Sequence, residues 1–112
     1  MKTKIQSFLA ALFLLAGVVN AQCVMTSQYG SATAPTTGSV NFSTCSFFGE
    51  YSPLNSAAAA TTYTCSITNS GYVTITQGSS TGPVIAFGQG PLTWSSTVAG
   101  TYYAHWAIDA AC

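Results

Sequence analysis

The stretch that decides the fold is residues 99–112, which read Ala-Gly-Thr-Tyr-Tyr-Ala-His-Trp-Ala-Ile-Asp-Ala-Ala-Cys. Gly100 favours a turn, and the residues after it alternate between two sides of an extended segment. One side carries Tyr102, Ala104, Trp106 and Ile108. The other side carries Thr101, Tyr103, His105 and Ala107. A period of two with aromatic content predicts a half-buried β-strand. The stretch also holds the only His and the last Cys, so core packing, covalent closure and any chemistry are expected to meet on it.

The rest of residues 22–112 repeats this pattern in shorter segments. Alternation predicts strands over residues 40–45, 61–68, 72–76 and 92–95, and a short apolar run predicts a strand over 84–87. Residues 25–29 are interpreted as an edge strand. Residues 46–55 contain Gly49 and Pro53 and are interpreted as a connection, and the alanines at 57–60 as a loop or bend. Seven or eight short strands without a helix predict an all-β, antiparallel β-sandwich or jelly roll, with one domain over residues 22–112.

Residues 1–21 have the pattern of a cleaved signal peptide. Lys2 and Lys4 precede an apolar run over residues 5–19, and Val19 and Ala21 place small residues at the two positions that a signal peptidase recognises. The run is short for a membrane span, which leaves a retained anchor helix as the alternative. Cleavage before Gln22 predicts a protein that is secreted or held at the cell surface, with no membrane span in its mature form.

Removal of that segment leaves residues 22–112 without any Lys or Arg. Their formal charges come from Glu50 and Asp109 alone, for a net charge of −2. Because phosphate contacts need cations, this composition excludes nucleic-acid binding, and it excludes attraction to anionic lipid for the same reason. So little charge also removes the repulsion that keeps copies of a protein apart.

Four cysteines, Cys23, Cys45, Cys65 and Cys112, lie in the exported part. An even number in a short secreted chain predicts two disulfides, for which three connectivities exist. A zinc site is the alternative, although the chain lacks a C-x-x-C pair.

The sequence offers little for catalysis. Gly78-Ser79-Ser80-Thr81-Gly82 matches the Gly-x-Ser-x-Gly pattern, but it lies in a predicted hairpin loop and not in the strand-to-helix turn that a nucleophile elbow requires. His105 and Asp109 would lie about 13 Å apart along one strand. Glu50 and Asp109 could form a glycosidase pair only with a pocket that the sequence does not indicate. We therefore expect no enzyme activity and no cofactor, the only metal option being a weak calcium site that uses Glu50 or Asp109 with backbone carbonyls.

Binding residues are better supported. Tyr51, Tyr103 and His105 could stack on sugar rings, with His105 expected to be exposed beside Tyr103. Outward rows of hydroxyls would suit contact with a polymer. These rows are Thr62, Thr64, Ser66 and Thr68, and Thr74 and Thr76.

Six short motifs occur together in a recognisable order: Ser43-Thr44-Cys45, Gly49-Glu50-Tyr51, Tyr72-Val73-Thr74-Ile75, Pro91-Leu92-Thr93-Trp94, Ala99-Gly100-Thr101-Tyr102-Tyr103 and Ala110-Ala111-Cys112. Together they resemble a β-sandwich repeat of secreted and surface proteins from gliding and marine Bacteroidetes-type bacteria, which are often exported by the type IX system. The Gly-Thr-Tyr-Tyr segment is also similar to the bacterial pre-peptidase C-terminal domain. The resemblance implies a Cys45–Cys112 bridge, which leaves Cys23 to pair with Cys65.

The resemblance implies a non-catalytic adhesion or surface-binding module. Such repeats usually belong to longer chains, so we expect one module of a larger or assembled structure, with an extracellular polymer, a glycan, a surface or copies of itself as partner. Two alternatives remain: an accessory substrate-binding domain of a secreted hydrolase, and a self-assembling extracellular fibre subunit.

Overall fold

The structure is a computed structural model that describes residues 22–42 and 47–112. The described residues contain no helix and form eight strands. These are β1 (Ser27–Gln28), β2 (Ala32–Thr33), β3 (Glu50–Ala57), β4 (Thr62–Cys65), β5 (Tyr72–Gln77), β6 (Val84–Gln89), β7 (Leu92–Ser95) and β8 (Gly100–Ala107). This confirms the predicted all-β class. The predicted signal peptide, residues 1–21, lies outside the described residues.

The strands form two sheets in a sandwich-like arrangement. The larger sheet has the order β1-β3-β8-β5-β6, with β2 also paired to β3, and the smaller sheet consists of β4 and β7. β8 is central and runs antiparallel to both β3 and β5. At one edge β1 and β2 pair with β3 in parallel, so the larger sheet is mixed, whereas its other strand pairs are antiparallel as predicted.

The side chains of the larger sheet that point toward β4 and β7 form its core face. Tyr102, Ala104 and Trp106 of β8 are buried there, as the alternation predicts. Tyr102 packs against Trp94 of β7 with ring centroids 5.0 Å apart. Ile108 was predicted to join them but is 65% exposed, because β8 ends at Ala107.

The buried aromatic residues have partners for their polar atoms. Trp106 Nε1 donates to Ser52 Oγ over 3.0 Å, and that hydroxyl donates to the carbonyl of Tyr29 over 2.7 Å. The Tyr102 hydroxyl donates to the carbonyl of Val98 over 2.7 Å and lies 3.1 Å from the amide of Thr97. Burial of these rings therefore leaves no strong donor unpaired, which would otherwise cost about 1–3 kcal/mol each.

Most of the segment predicted as a connection, residues 46–55, belongs to β3, one of the two longest strands. Pro53 favoured the wrong interpretation, because proline cannot donate to a sheet ladder. The carbonyls of Tyr51 and Asn55 accept hydrogen bonds from the amides of Tyr29 and Ala34, in the segment that contains β1 and β2. Because the backbone polar groups of every second residue in a strand point to the same side, the nitrogen of Pro53 also points toward this segment. The nitrogen of Pro53 faces the stretch between β1 and β2, where no backbone hydrogen bond from β3 is needed. Pairing with β8 is unaffected.

The predicted strand over 40–45 is not formed in its described part, and residues 43–45 lie outside the described residues. Phe42 instead packs edge-on against Trp106, with ring centroids 5.6 Å apart. The segment 35–42 thus runs along the open side of the core.

The disulfide joins Cys23 to Cys112. The predicted bridges Cys45–Cys112 and Cys23–Cys65 were therefore wrong. Cys23 lies with Tyr72 and Ala107 on the side of the larger sheet that faces away from β4 and β7, whereas Cys65 is buried in the core beside Trp94. The larger sheet therefore separates Cys23 from Cys65. Cys45 lies outside the described residues.

We expect replacement of both Cys23 and Cys112 by Ser to lower the free energy of unfolding by about 2–4 kcal/mol. The bond links residues 89 positions apart, so its loss frees a long loop in the unfolded chain. Urea denaturation followed by tryptophan fluorescence measures the change. Cys112→Ser alone should cost as much as the double variant, since either change removes the same bond. Additive losses would contradict this account.

Candidate functional site

The structure brings the three predicted binding residues together on one surface. We call the outer face the side of the larger sheet that points away from β4 and β7. Tyr51 of β3 lies opposite His105 of β8, and Tyr103 lies two residues along β8 from His105 on the same face. The Tyr51 ring centroid is 5.3 Å from that of His105 and 5.9 Å from that of Tyr103.

His105 differs from its prediction because it is 0% exposed. Its Nδ1 accepts a hydrogen bond from the amide of Met25 over 2.9 Å, which places the ring proton on Nε2. Nε2 then donates to the Thr76 hydroxyl over 3.0 Å, and that hydroxyl donates to the carbonyl of Ser79 over 2.9 Å. His105 is thus a neutral residue in a relay of hydrogen bonds, without a free face for a ligand.

Burial also controls the ionisation of this residue. Desolvation lowers the pKa of His105 to about 4, and a hydrogen bond with the backbone of Ser80 only partly opposes this effect. A proton on Nδ1 would also point at the Met25 amide, which is itself a donor. Protonation and the present arrangement of the backbone are therefore incompatible.

The cover over His105 is the N-terminal arm, residues 22–26. The amide of Cys23 donates to the Thr74 hydroxyl over 3.0 Å, and the amide of Met25 donates to His105. The Cys23–Cys112 bond attaches the arm to the end of the chain. Thr74 and Thr76, predicted as outward hydroxyls, are buried beneath the arm and the 77–83 loop. Alternation shows which side of a strand a residue takes, but not what covers that side.

Tyr51 and Tyr103 remain partly exposed beside the covered region. Their rings meet edge to face at an angle of 67°. Tyr103 lies in the central strand, and β3 is paired on both of its sides, so the backbone of each tyrosine is held by neighbouring strands. A rigid pair of phenol rings can contact an apolar surface with the ring and a polar group with the hydroxyl.

A second exposed surface consists of hydroxyls on the outward side of the smaller sheet. Thr62 Oγ1 lies 3.1 Å from Ser95 Oγ, and Thr64 Oγ1 lies 2.9 Å from Thr93 Oγ1. Both cross-strand pairs are exposed. They confirm the outward direction predicted for Thr62 and Thr64. One hydrogen bond joins the two hydroxyls of each pair, and their oxygens keep further lone pairs that can accept from water or a polymer.

Two grooves, of about 510 and 450 Å³, lie between the segment 35–42 and β4. Phe42 contributes to both. Their described walls are otherwise mainly hydroxyls, the Asn41 amide and apolar groups, with no charged side chain. The grooves could accept neutral groups, but they lack the rigid, strand-borne frame of the tyrosine pair.

The two carboxylates serve local backbone turns. Glu50 Oε2 accepts from the amide of Phe47 over 3.1 Å, and Asp109 Oδ1 accepts from the amide of Ala111 over 2.9 Å. Within residues 22–42 and 47–112, no group of three or more His, Cys, Asp or Glu side chains is placed to hold a metal ion. His105 bonds to Met25 and Thr76 and makes no hydrogen bond to Asp109.

Searches against protein-family models, curated proteins and solved structures find no match to this chain. The described part of the chain contains no helix long and apolar enough to span a membrane.

We expect stability to fall as the pH drops from 6.5 toward 4. The pKa of His105 in the folded protein is about 4, below the ordinary 6.5, so the unfolded chain binds a proton in this interval and the folded chain does not. The free energy of unfolding should fall by up to about 3 kcal/mol across this window. Chemical denaturation at a series of pH values measures the slope. In His105→Gln the part of the pH dependence that comes from histidine should vanish. A variant with the same pH dependence as the wild type would contradict this prediction.

Proposed function

We propose that this chain is a non-catalytic extracellular adhesion module that binds a neutral glycan through Tyr51 and Tyr103. The observation that carries the proposal is the juxtaposition of these two partly exposed rings on adjacent, hydrogen-bonded strands. Aromatic rings bind sugars by covering the apolar faces of the pyranose ring. A preformed pair loses little conformational entropy when it binds.

Charge supports a neutral ligand. Residues 22–112 have no Lys or Arg, and His105 is buried and neutral near physiological pH. The two carboxylates are engaged by backbone amides near them. An anionic polymer would find no cation here, whereas a neutral polysaccharide meets phenols and hydroxyls.

The setting is compatible with an extracellular protein. A disulfide such as Cys23–Cys112 persists in oxidising compartments, and the predicted signal peptide would deliver the chain there. A single pair of rings gives weak binding, which suits an adhesion module that acts in several copies on a repetitive surface.

Binding to neutral polysaccharides, soluble on a glycan array and insoluble in a pull-down, tests the proposal. We expect Tyr51→Ala and Tyr103→Ala each to weaken binding about tenfold, since one stacked ring contributes about 1–1.5 kcal/mol. Tyr103→Phe should keep most of the affinity, because the ring is retained.

The matched control is Phe47→Ala, which removes an aromatic side chain that is 66% exposed and lies outside the tyrosine pair. It should bind like the wild type. Circular dichroism of every variant establishes that the fold is kept. The proposal fails if the wild-type protein binds no neutral glycan, or if the tyrosine variants and the control bind alike.

A further inference from the structure

The two edges of the larger sheet differ in whether further backbone covers them. The edge of β3 is covered by β1 and β2, with added backbone bonds from Tyr29 to Tyr51 and from Ala34 to Asn55. At the other edge, β6 pairs with β5 and with no further strand of the described chain. Every second amide and carbonyl of β6 therefore points away from the sheet.

The regularly paired part of β6, Ala86 to Gln89, carries none of the features that usually protect an edge strand. The sequence of β6, Val-Ile-Ala-Phe-Gly-Gln, contains no charge and no proline. Natural edges are commonly protected by lysine, proline or a bulge. The register shift with β5 lies at the Val84 end, so the segment from Ala86 to Gln89 pairs regularly. Phe87 stands in that regular part and is 42% exposed.

We infer that β6 is an assembly edge that pairs antiparallel with β6 of a second copy of this chain. The absence of charge favours a second copy of this chain as the partner. The exported chain has no cation, and its two carboxylates lie at the start of β3 and after the end of β8, so two copies meet at this edge without like charges opposed. A strand paired with its own copy is self-complementary about a two-fold axis.

The faces of the sheet determine the register of this pairing. Phe87 lies opposite Thr74 and belongs to the outer face, while Ala86 lies opposite Ile75 and Gly88 opposite Val73 on the core face. Residues opposite each other across two strands share a face. The register that centres on Phe87 places this ring beside Phe87 of the second copy, and Ala86 opposite Gly88. It forms a cross-strand aromatic pair on the outer face and keeps the core face free of bulk.

The two-fold axis of such a dimer is perpendicular to the sheet, so both outer faces point in the same direction. The dimer therefore presents two Tyr51–Tyr103 pairs to one surface, which raises avidity without any new contact. This consequence rests on the proposed function, whereas the pairing of β6 does not.

Sedimentation velocity over a series of protein concentrations, on the exported chain with its disulfide intact, tests the pairing. The wild type should show a reversible monomer–dimer equilibrium. Phe87→Lys should raise the dimer dissociation constant at least about tenfold, because two lysines would meet at the axis. Val98→Lys is the matched control, since it adds the same charge at a side chain that is 51% exposed in the loop before β8. It should dimerise like the wild type.

Phe87→Cys provides a second measurement that does not depend on weakening the dimer. Opposed residues in antiparallel strands lie within the Cα separation that a disulfide needs. Under mild oxidation this variant should form a covalent dimer, and Val98→Cys should not. A wild type that stays monomeric at every concentration overturns the inference, as does a Phe87→Lys variant that dimerises normally. A dimer that binds no glycan would refute the proposed function and leave the pairing intact.

Discussion

The alternation of side chains along β8 is the constraint on which the structure depends. One strand must supply Trp106 to the core face and His105 to the outer face, and both carry polar nitrogen atoms into buried positions. Each nitrogen finds its partner through the same stretch of chain. The N-terminal segment gives its Tyr29 carbonyl to the Ser52 hydroxyl that holds Trp106, and its Met25 amide to His105. Both layers are therefore completed by residues that precede β3 in sequence.

Much of this could be predicted from residue patterns, and the failures have physical causes. The period of two located β4, β5, β7 and β8, because one side of each of these segments carries apolar residues, and a short apolar run located β6. β3 was missed since Pro53 argues against a strand, and only the tertiary arrangement shows that its nitrogen meets a gap between β1 and β2. The burial of His105 could not be predicted, because nothing in residues 22–26 marks them as a cover. The disulfide depends on which side of the sheet each cysteine reaches, which is a matter of topology.

The tyrosine pair illustrates the same division. Tyr51 and Tyr103 could be singled out as aromatic residues in a stretch of sequence without cations, but their contact depends on the pairing of β3 with β8. The two sides of the domain consequently differ in chemistry. The outer face offers phenol rings beside a covered polar layer, whereas the smaller sheet offers paired hydroxyls. In the proposed glycan-binding role, such a surface would distinguish ligands by shape and by ring contact rather than by charge, because residues 22–112 contain no cation.

The Cys23–Cys112 bond also has a mechanical consequence. It joins residues near the two ends of the described chain, 89 positions apart in sequence, whose Cα atoms lie 5.4 Å apart. A pulling force applied at Gln22 and Cys112 passes through this covalent bond and does not load the hydrogen bonds between the strands. The sheet therefore bears no tension while the disulfide is intact. The time for which the folded domain survives under load then depends on reduction of this bond, whereas in domains without such a bridge it depends on the unfolding rate.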